Sequence, residues 1–341
     1  MQTLTLLNFN LFSIIIIFVS TILINSILIR VAYKFNLLDY PSSRKLHSKE
    51  TPFTGGLVLI IFFIFFGNYF FFSDHLIKLI IFSSVSIGVL GFVDDKFTLS
   101  PILKISFLTA ITLFVAFNNI NIITLGNYHY LGNLYLGDYS IIFTVLCILF
   151  LTNAFNYNDG IDGLTIFTFL TSSSLLIFIS DNGEINFLLM YINTILLILL
   201  LYNLSIFKLP KIFLGNTGSL LLGFFFSLVM IYLNRYQGVD ALLIAWCVAY
   251  LVYEFLATNL YRLLKKKKLT QSGDDHMHYA LLARFKSKTV TSIIINLINI
   301  LLFLIGLLTL KINNLLSMLS FIFLFFLYFQ IRYLLFFRIK K

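Results

Sequence analysis

Residues 140–180 read SIIFTVLCILFLTNAFNYNDGIDGLTIFTFLTSSSLLIFIS. Two uncharged apolar runs, 140–156 and 163–180, flank a short polar stretch. Each run is about as long as a helix needs to cross a hydrocarbon layer ~30 Å thick. Runs of this kind recur along the 341 residues, of which 60% are hydrophobic and only 11% charged. A water-soluble fold would have to hide all of them, so the sequence reads as an integral membrane protein. Lipid admits only helices or closed barrels, and runs without in–out alternation favour helices. The fold class is therefore all-α and polytopic, with about eleven transmembrane helices (10–11). The expected spans are 7–31, 57–72, 76–93, 102–118, 140–156, 163–180, 186–205, 219–233, 240–263, 289–310 and 314–335. Together they form a single transmembrane domain, 1–341. Cys147 and Cys247 lie inside apolar runs and read as small buried hydrophobes. The first apolar run is long and lacks a basic leader, so it is expected to stay as a helix.

Charge orients these spans. The connections 32–56, 94–101, 157–162, 206–218 and 264–288, with the C-terminal tail, fall on one side. The N-terminus and the connections 73–75, 119–139, 181–185, 234–239 and 311–313 fall on the other. Only Lys78, Arg235 and Lys311 lie on the second side, against 21 of the 24 basic residues on the first. The positive-inside rule makes the first side cytoplasmic, with the N-terminus outside and the C-terminus inside. The net charge of +10 is then mostly orientation charge. Its natural partners are anionic headgroups of membrane lipid, and no nucleic acid is needed.

The chemically rich clusters all fall on that cytoplasmic side, which suggests one site built from several helix ends. In GFVDDKFTLSP (91–101), Asp94 and Asp95 are adjacent and repel unless a cation lies between them. Mg²⁺ suits such a pair, since it takes one or two carboxylates plus phosphate oxygens; the ordinary alternative is a solvated helix end beside Lys96. In NAFNYNDGIDGL (153–164), Asn153, Asn156, Asp159 and Asp162 recur every three residues. If the helix persists through them, they line one stripe. Gly160 and Gly163 would let a backbone or ligand come close. Charge is expensive at a membrane segment, so something charged is expected to bind there. KIFLGNTGS (211–219) puts small residues before an apolar helix, whose N–H groups can meet an anion. His276 and His278 follow Lys265–Lys268, with Asp274 and Asp275 between. They could bind phosphate or handle protons, and HxH alone is poor zinc spacing. Arg44, Lys45 and His47, with Gly55 and Gly56, form a second basic cluster suited to a phosphate-bearing substrate.

Together these clusters resemble the polyprenyl-phosphate N-acetylhexosamine-1-phosphate transferases, glycosyltransferase family 4. That group also contains the phospho-N-acetylmuramoyl-pentapeptide translocase of peptidoglycan synthesis. The likeness covers roughly residues 39–284 and keeps motif order. RKxH…P…GG is met by Arg44, Lys45, His47, Pro52, Gly55 and Gly56, and the DD pair by Asp94 and Asp95. NxxNxxDGxDGL is met in full by Asn153–Leu164. FxGDxGS is met over Phe213–Ser219 except that Asn216 replaces the aspartate, and HxHH except that Tyr279 replaces the last histidine.

The resemblance implies a Mg²⁺-dependent transfer (with Mn²⁺ as an alternative ion) of a sugar 1-phosphate from a UDP-sugar to a polyprenyl phosphate, with release of UMP. Its setting would be a bacterial inner (plasma) membrane. It implies catalytic roles for Asp94, Asp95 and Asp162, and metal ligation by Asp94, Asp95 and Asn216. Asn153, Asn156 and Asp159 would hold the nucleotide, His276 and His278 the diphosphate or sugar, and Lys45 and His47 a phosphate. Homo-oligomers are left open. Phosphoryl transfer asks mainly for positioning and charge neutralisation, in keeping with these clusters.

Two rivals stand beside this reading. A transporter or flippase would place polar groups near the bilayer midplane in paired repeats, and only Glu254 lies deep within a span. It could equally hydrogen-bond between helices. A degenerate relative serving as a lipid-binding scaffold would fit the loss of charge at Asn216.

Overall fold

A computed structural model describes residues 2–41, 49–69, 74–128, 132–268, 273 and 275–339, the side chains of 2–11 and 337–339 excepted. Thirteen helices occur among them: α1 (Gln2–Phe35), α2 (Gly55–Tyr69), α3 (His75–Phe97), α4 (Pro101–Phe117), α5 (Ser140–Asn158), α6 (Leu164–Ile179), α7 (Gly183–Asn203), α8 (Gly215–Gln237), α9 (Ala241–Cys247), α10 (Ala249–Leu264), α11 (Met277–Phe285), α12 (Lys288–Leu310) and α13 (Asn314–Ile339). Two short antiparallel pairs join them, β1 (Leu38–Asp39) with β2 (Thr51–Pro52) and β3 (Thr124–Tyr128) with β4 (Gly132–Tyr135). Local sequence explains many helix starts. Asp74, Ser100, Asn182, Asp240 and Ser287 each cap a helix by accepting a backbone N–H, and Pro101 follows Ser100 at the first helical position.

Each expected span has a helical counterpart. Among the described residues, α1, α3, α5, α7, α8, α12 and α13 are long and apolar enough to cross a membrane. Apolar α2, α4 and α6 are shorter, at 15, 17 and 16 residues. At ~1.5 Å per residue they reach only about 22–26 Å. Large apolar side chains face outward on the long helices, such as Phe12 and Leu23 on α1 and Phe323 and Phe326 on α13. Water would penalise such surfaces, whereas lipid accepts them.

One expected span is corrected. Residues 240–263 are not a single helix: α9 and α10 meet at Val248 with a bend of 77°. A break strands backbone groups that lipid cannot satisfy. Asn299 of α12 takes up both sides of it, accepting from the Tyr250 amide at 3.0 Å and donating to the Cys247 carbonyl at 2.9 Å. The 119–139 connection contains the β3–β4 hairpin, whose Asn127 carbonyl accepts from Asn314 at 2.7 Å.

The chain divides into two compact units. The first holds residues 1–99 and 182–221. In it α2 packs on α3, and α1 on α7 and α2. Ser13 meets the Tyr191 hydroxyl at 2.8 Å, and Thr54 donates to Asn25 at 3.1 Å. The second holds residues 100–181 and 222–341. There α5 packs on α4, α6 and α10, while α12 packs on α6, α9 and α13.

Candidate functional site

In the first unit, the segment before α8 is laid down as an extended edge. Phe213 donates to the Pro52 carbonyl at 2.8 Å, and Gly55 and Gly56 donate to the carbonyls of Phe213 and Leu214, each at 3.0 Å. Ile212 is anchored by Asn203, which donates to its carbonyl at 2.8 Å. These bonds bring the start of α8 against the end of α3. The approach leaves no room for a side chain at Gly91: a Cβ there would lie 2.5 Å from the Asn216 carbonyl oxygen.

A helix N-terminus with free N–H groups was expected at Gly215–Ser219, and the anion it meets is the protein's own. Asp95 accepts from the Asn216 amide at 2.9 Å, the Thr217 amide at 2.9 Å and the Thr217 hydroxyl at 2.7 Å. A carboxylate thus caps α8 from a different helix, where the macrodipole favours negative charge. Asp94 is buried at 4% exposure. Its Oδ1 accepts from the Leu99 amide at 2.8 Å and its Oδ2 from the Asn216 side-chain amide at 2.8 Å.

This donor set fits a hard cation through Asp94 and Asn216. Turning the Asn216 amide over would set its oxygen against a carboxylate oxygen, an arrangement that a cation between them stabilises. Asp95 fits less well, because its oxygens are committed to the α8 terminus. Among the described residues, no three His, Cys, Asp or Glu side chains converge as a metal cluster.

In the second unit, the polar stripe is shorter than expected. Asn153 and Asn156 lie on α5, but the helix ends at Asn158 and the two aspartates sit on the following turn. Gly160 and Gly163 weaken the helix there, and Gly163 takes a left-handed φ of 80° at the start of α6. Asn153 donates to the Leu149 carbonyl at 2.7 Å. Asn153 and Asn156 are half-buried, Asp159 is exposed and Asp162 is half-buried. Asp162 meets the Lys288 ammonium at 2.7 Å.

The turn packs directly on the histidine segment. A Cβ on Gly160 would lie 2.2 Å from His278 Nε2 and 3.0 Å from the Tyr279 hydroxyl. Glycine at 160 therefore admits an imidazole. His278 is 1% exposed, and neither ring nitrogen has a hydrogen-bond partner among the described residues. Burial, with His276 and Arg332 adding to it, pushes its pKa down to about 3. It is neutral at physiological pH and can offer a hydrogen bond but no charge. The His276 ring lies parallel to it, 5.4 Å away, with Tyr157 edge-on at 5.2 Å. Asp275 forms a two-point pair with Arg262, at 2.7 and 3.1 Å. Burial alone would push its carboxyl up, but the Arg262 hydrogen bonds and charge outweigh it and hold it below the usual range.

Residues 77–234 match the sequence profile of glycosyl transferase family 4, a stretch that holds the Asp94–Asp95 pair, the whole 153–164 motif and Asn216. This chain resembles that family over the matched stretch. It is 28% identical over 288 residues, 82% of this chain and 78% of the relative, to the Bacillus subtilis (strain 168) protein named "Probable undecaprenyl-phosphate N-acetylglucosaminyl 1-phosphate transferase". The undecaprenyl-phosphate alpha-N-acetylglucosaminyl 1-phosphate transferase of Escherichia coli O157:H7 is 28% identical, over 78% of this chain and 74% of its own. The Salmonella typhi protein of the same name is 29% identical over the same shares.

Against that family frame, Lys45 and His47 lie outside the described residues, as does Asp274. The structure brings Asp94, Asp95 and Asn216 together in the first unit. In the second it brings the 159–163 turn onto His278. Lys288 and Thr217 were not singled out from sequence. Lys288 had a readable signal: a lysine in the first turn of a helix opposes the macrodipole, so it needs another reason to be there. Glu254 resolves to the interhelical alternative, accepting from Tyr328 of α13 at 2.6 Å.

Proposed function

We propose that the protein is a phospho-glycosyltransferase that moves an N-acetylhexosamine 1-phosphate from a UDP-sugar to undecaprenyl phosphate and releases UMP. The reaction would run at the cytoplasmic face of a bacterial plasma membrane, where a lipid phosphate and a soluble nucleotide can meet. The product would be the first lipid-linked intermediate of a cell-surface glycan. The observation that carries this reading is the contact between the Asp159–Gly163 turn and His278, two motifs far apart in sequence whose fit depends on Gly160. The names of the relatives, and the 21 of 24 basic residues on the motif-bearing side of eleven proposed spans, support it.

In the reaction an oxygen of the lipid phosphate attacks the phosphorus that bears the sugar, and UMP leaves with the electron pair of the broken P–O bond. Asp94 and the Asn216 side-chain oxygen would hold Mg²⁺, or Mn²⁺ in its place. The ion supplies neutralisation of the diphosphate charge. Asp95 keeps Asn216 in place by fixing the start of α8. The Asp162–Lys288 pair gives the nucleotide side one carboxylate and one ammonium, and Asn153, Asn156 and Asp159 offer oxygen and amide contacts. Neutral His278 contributes a hydrogen bond.

The test is direct. Purified protein with Mg²⁺, undecaprenyl phosphate and a panel of UDP-N-acetylhexosamines is expected to release UMP. Release of UDP would mean transfer of the sugar without its phosphate and would refute the reading. The hydrogen bond from Asn216 to Asp94 favours a second reading, a lipid-binding relative with too little charge to hold its ion. Mg²⁺ titration of wild type and Asn216→Asp separates the two. The transferase reading expects UMP from both, with a lower Mg²⁺ midpoint in the variant. The scaffold reading expects none from wild type.

A further inference from the structure

Four charged side chains are almost fully buried in the second unit: Glu254 and Arg262 on α10, Asp275 before α11, and Arg332 on α13. Buried charge is costly, and apolar packing would hold two helices together at least as well. The family match ends at residue 234, and all four lie beyond it.

Their bonds converge on one residue. Arg332 donates through Nε to Glu254 at 3.2 Å, through Nη2 to the Thr258 hydroxyl at 2.9 Å, and also to the Asp275 carbonyl. Glu254 accepts from the Met277 amide at 2.9 Å and from Thr258 at 2.9 Å. Arg262 grips the Asp275 side chain. The peptide groups on both sides of His276 are therefore clamped, the carbonyl before it by Arg332 and the amide after it by Glu254. Glu254 also faces His276 Nδ1 at 3.4 Å. That contact assigns the proton to Nδ1 and leaves Nε2, which has no hydrogen-bond partner among the described residues, able to accept a hydrogen bond.

We infer that Arg332 and Glu254 are positioning residues for His276, and that the C-terminal helix α13 is thereby part of the apparatus that presents the Nε2 lone pair to a sugar hydroxyl of the nucleotide sugar. The inference rests on the transferase reading for its ligand, but the clamp itself can be tested without activity. A guanidinium suits this task because its planar fork reaches a carboxylate, a hydroxyl and a carbonyl at once, which an ammonium cannot do in the same geometry.

The experiment uses full-length protein in nanodiscs with Arg332→Lys, Arg332→Gln, Glu254→Gln and the Arg332→Gln/Glu254→Gln double variant. Thermal unfolding, hydrogen exchange over residues 275–281, and kcat and KM with UDP-N-acetylglucosamine are read for each. Each single Gln variant strands one buried charge and is expected to lose stability. The double variant removes both charges and is expected to recover most of it, yet to keep kcat at least tenfold below wild type. Arg332→Lys keeps the charge pair and the fold but is expected to speed exchange at Met277 and lower kcat by a similar factor. Turnover within twofold of wild type in Arg332→Lys, or in a stable double variant, would make the cluster structural and overturn the inference. If wild type releases no UMP from any UDP-sugar, the transferase reading fails by itself. Exchange at Met277 then decides the clamp, and an unchanged rate in Arg332→Lys overturns it.

Discussion

Replacing Gly160 by alanine tests whether the acidic turn and the histidine segment act together. The backbone at 160 is open to any residue, since its φ is not among the positive ones, so the effect is steric. The added Cβ would sit 2.2 Å from His278 Nε2 and 2.9 Å from its Cε1. Ordinary contact is ~3.5 Å, so the ring or the turn must move by about 1 Å. His278 is buried and cannot swing into solvent. Overpacking of this kind costs about 1–3 kcal/mol of stability. A misplacement of about 1 Å in a positioned group costs on the order of 10²-fold in rate, equivalent to about 2.7 kcal/mol of transition-state stabilisation. The assay is UMP release at saturating undecaprenyl phosphate, with thermal unfolding measured in parallel. Gly183→Ala is the control, because a Cβ there meets only Phe187 at 4.0 Å. The double variant Gly160→Ala/His278→Ala removes the clash, so the two effects are expected to be strongly non-additive. Turnover of Gly160→Ala within twofold of wild type, or strict additivity of the pair, would refute the reasoning.

Other outcomes follow from the same geometry. Asp95→Asn replaces a two-oxygen acceptor with one oxygen and an NH₂ that opposes an N–H donor. It is expected to lower stability by about 2 kcal/mol, the scale of a charged hydrogen bond at a helix terminus, and turnover at least ~10-fold, read by thermal unfolding and UMP release. Lys288→Gln leaves Asp162 without its ammonium and is expected to raise KM for the UDP-sugar ~10-fold, while Lys288→Arg stays within about threefold; equal effects in both would remove Lys288 from the site. His278 has a folded pKa of about 3, below its unfolded value near ~6.5. The sign is therefore fixed: its contribution is whole above about pH 6.5 and falls, by up to ~1.4 kcal/mol per pH unit, as the unfolded chain takes a proton that the folded chain refuses. Between pH 7 and 5 the unfolding midpoint of wild type is expected to drop more than that of His278→Gln, and equal drops would contradict the buried neutral ring.

The membrane class of the fold was legible in the sequence because lipid leaves few choices. A chain with long uncharged runs such as 140–156 must satisfy its own backbone, and helices do that locally. The motif pattern was legible for a similar reason, since adjacent carboxylates at 94–95 and glycines after Asp159 and Asp162 are features of neighbours in the chain. Three things depended on contacts between distant residues. The break at Val248 is tolerated because Asn299, some fifty positions away, answers its stranded amide and carbonyl. Asp95 reads as a metal ligand beside Asp94, yet its oxygens close the start of α8 from a different helix. Arg332 reads as one more cytoplasmic positive charge near a helix end, yet it is 1% exposed and joins α13 to the peptide groups around His276. Hydropathy and spacing record what each residue prefers as its surroundings. Which partner supplies those surroundings is a matter of packing, and a buried charge or an uncapped helix end states only that a partner must exist.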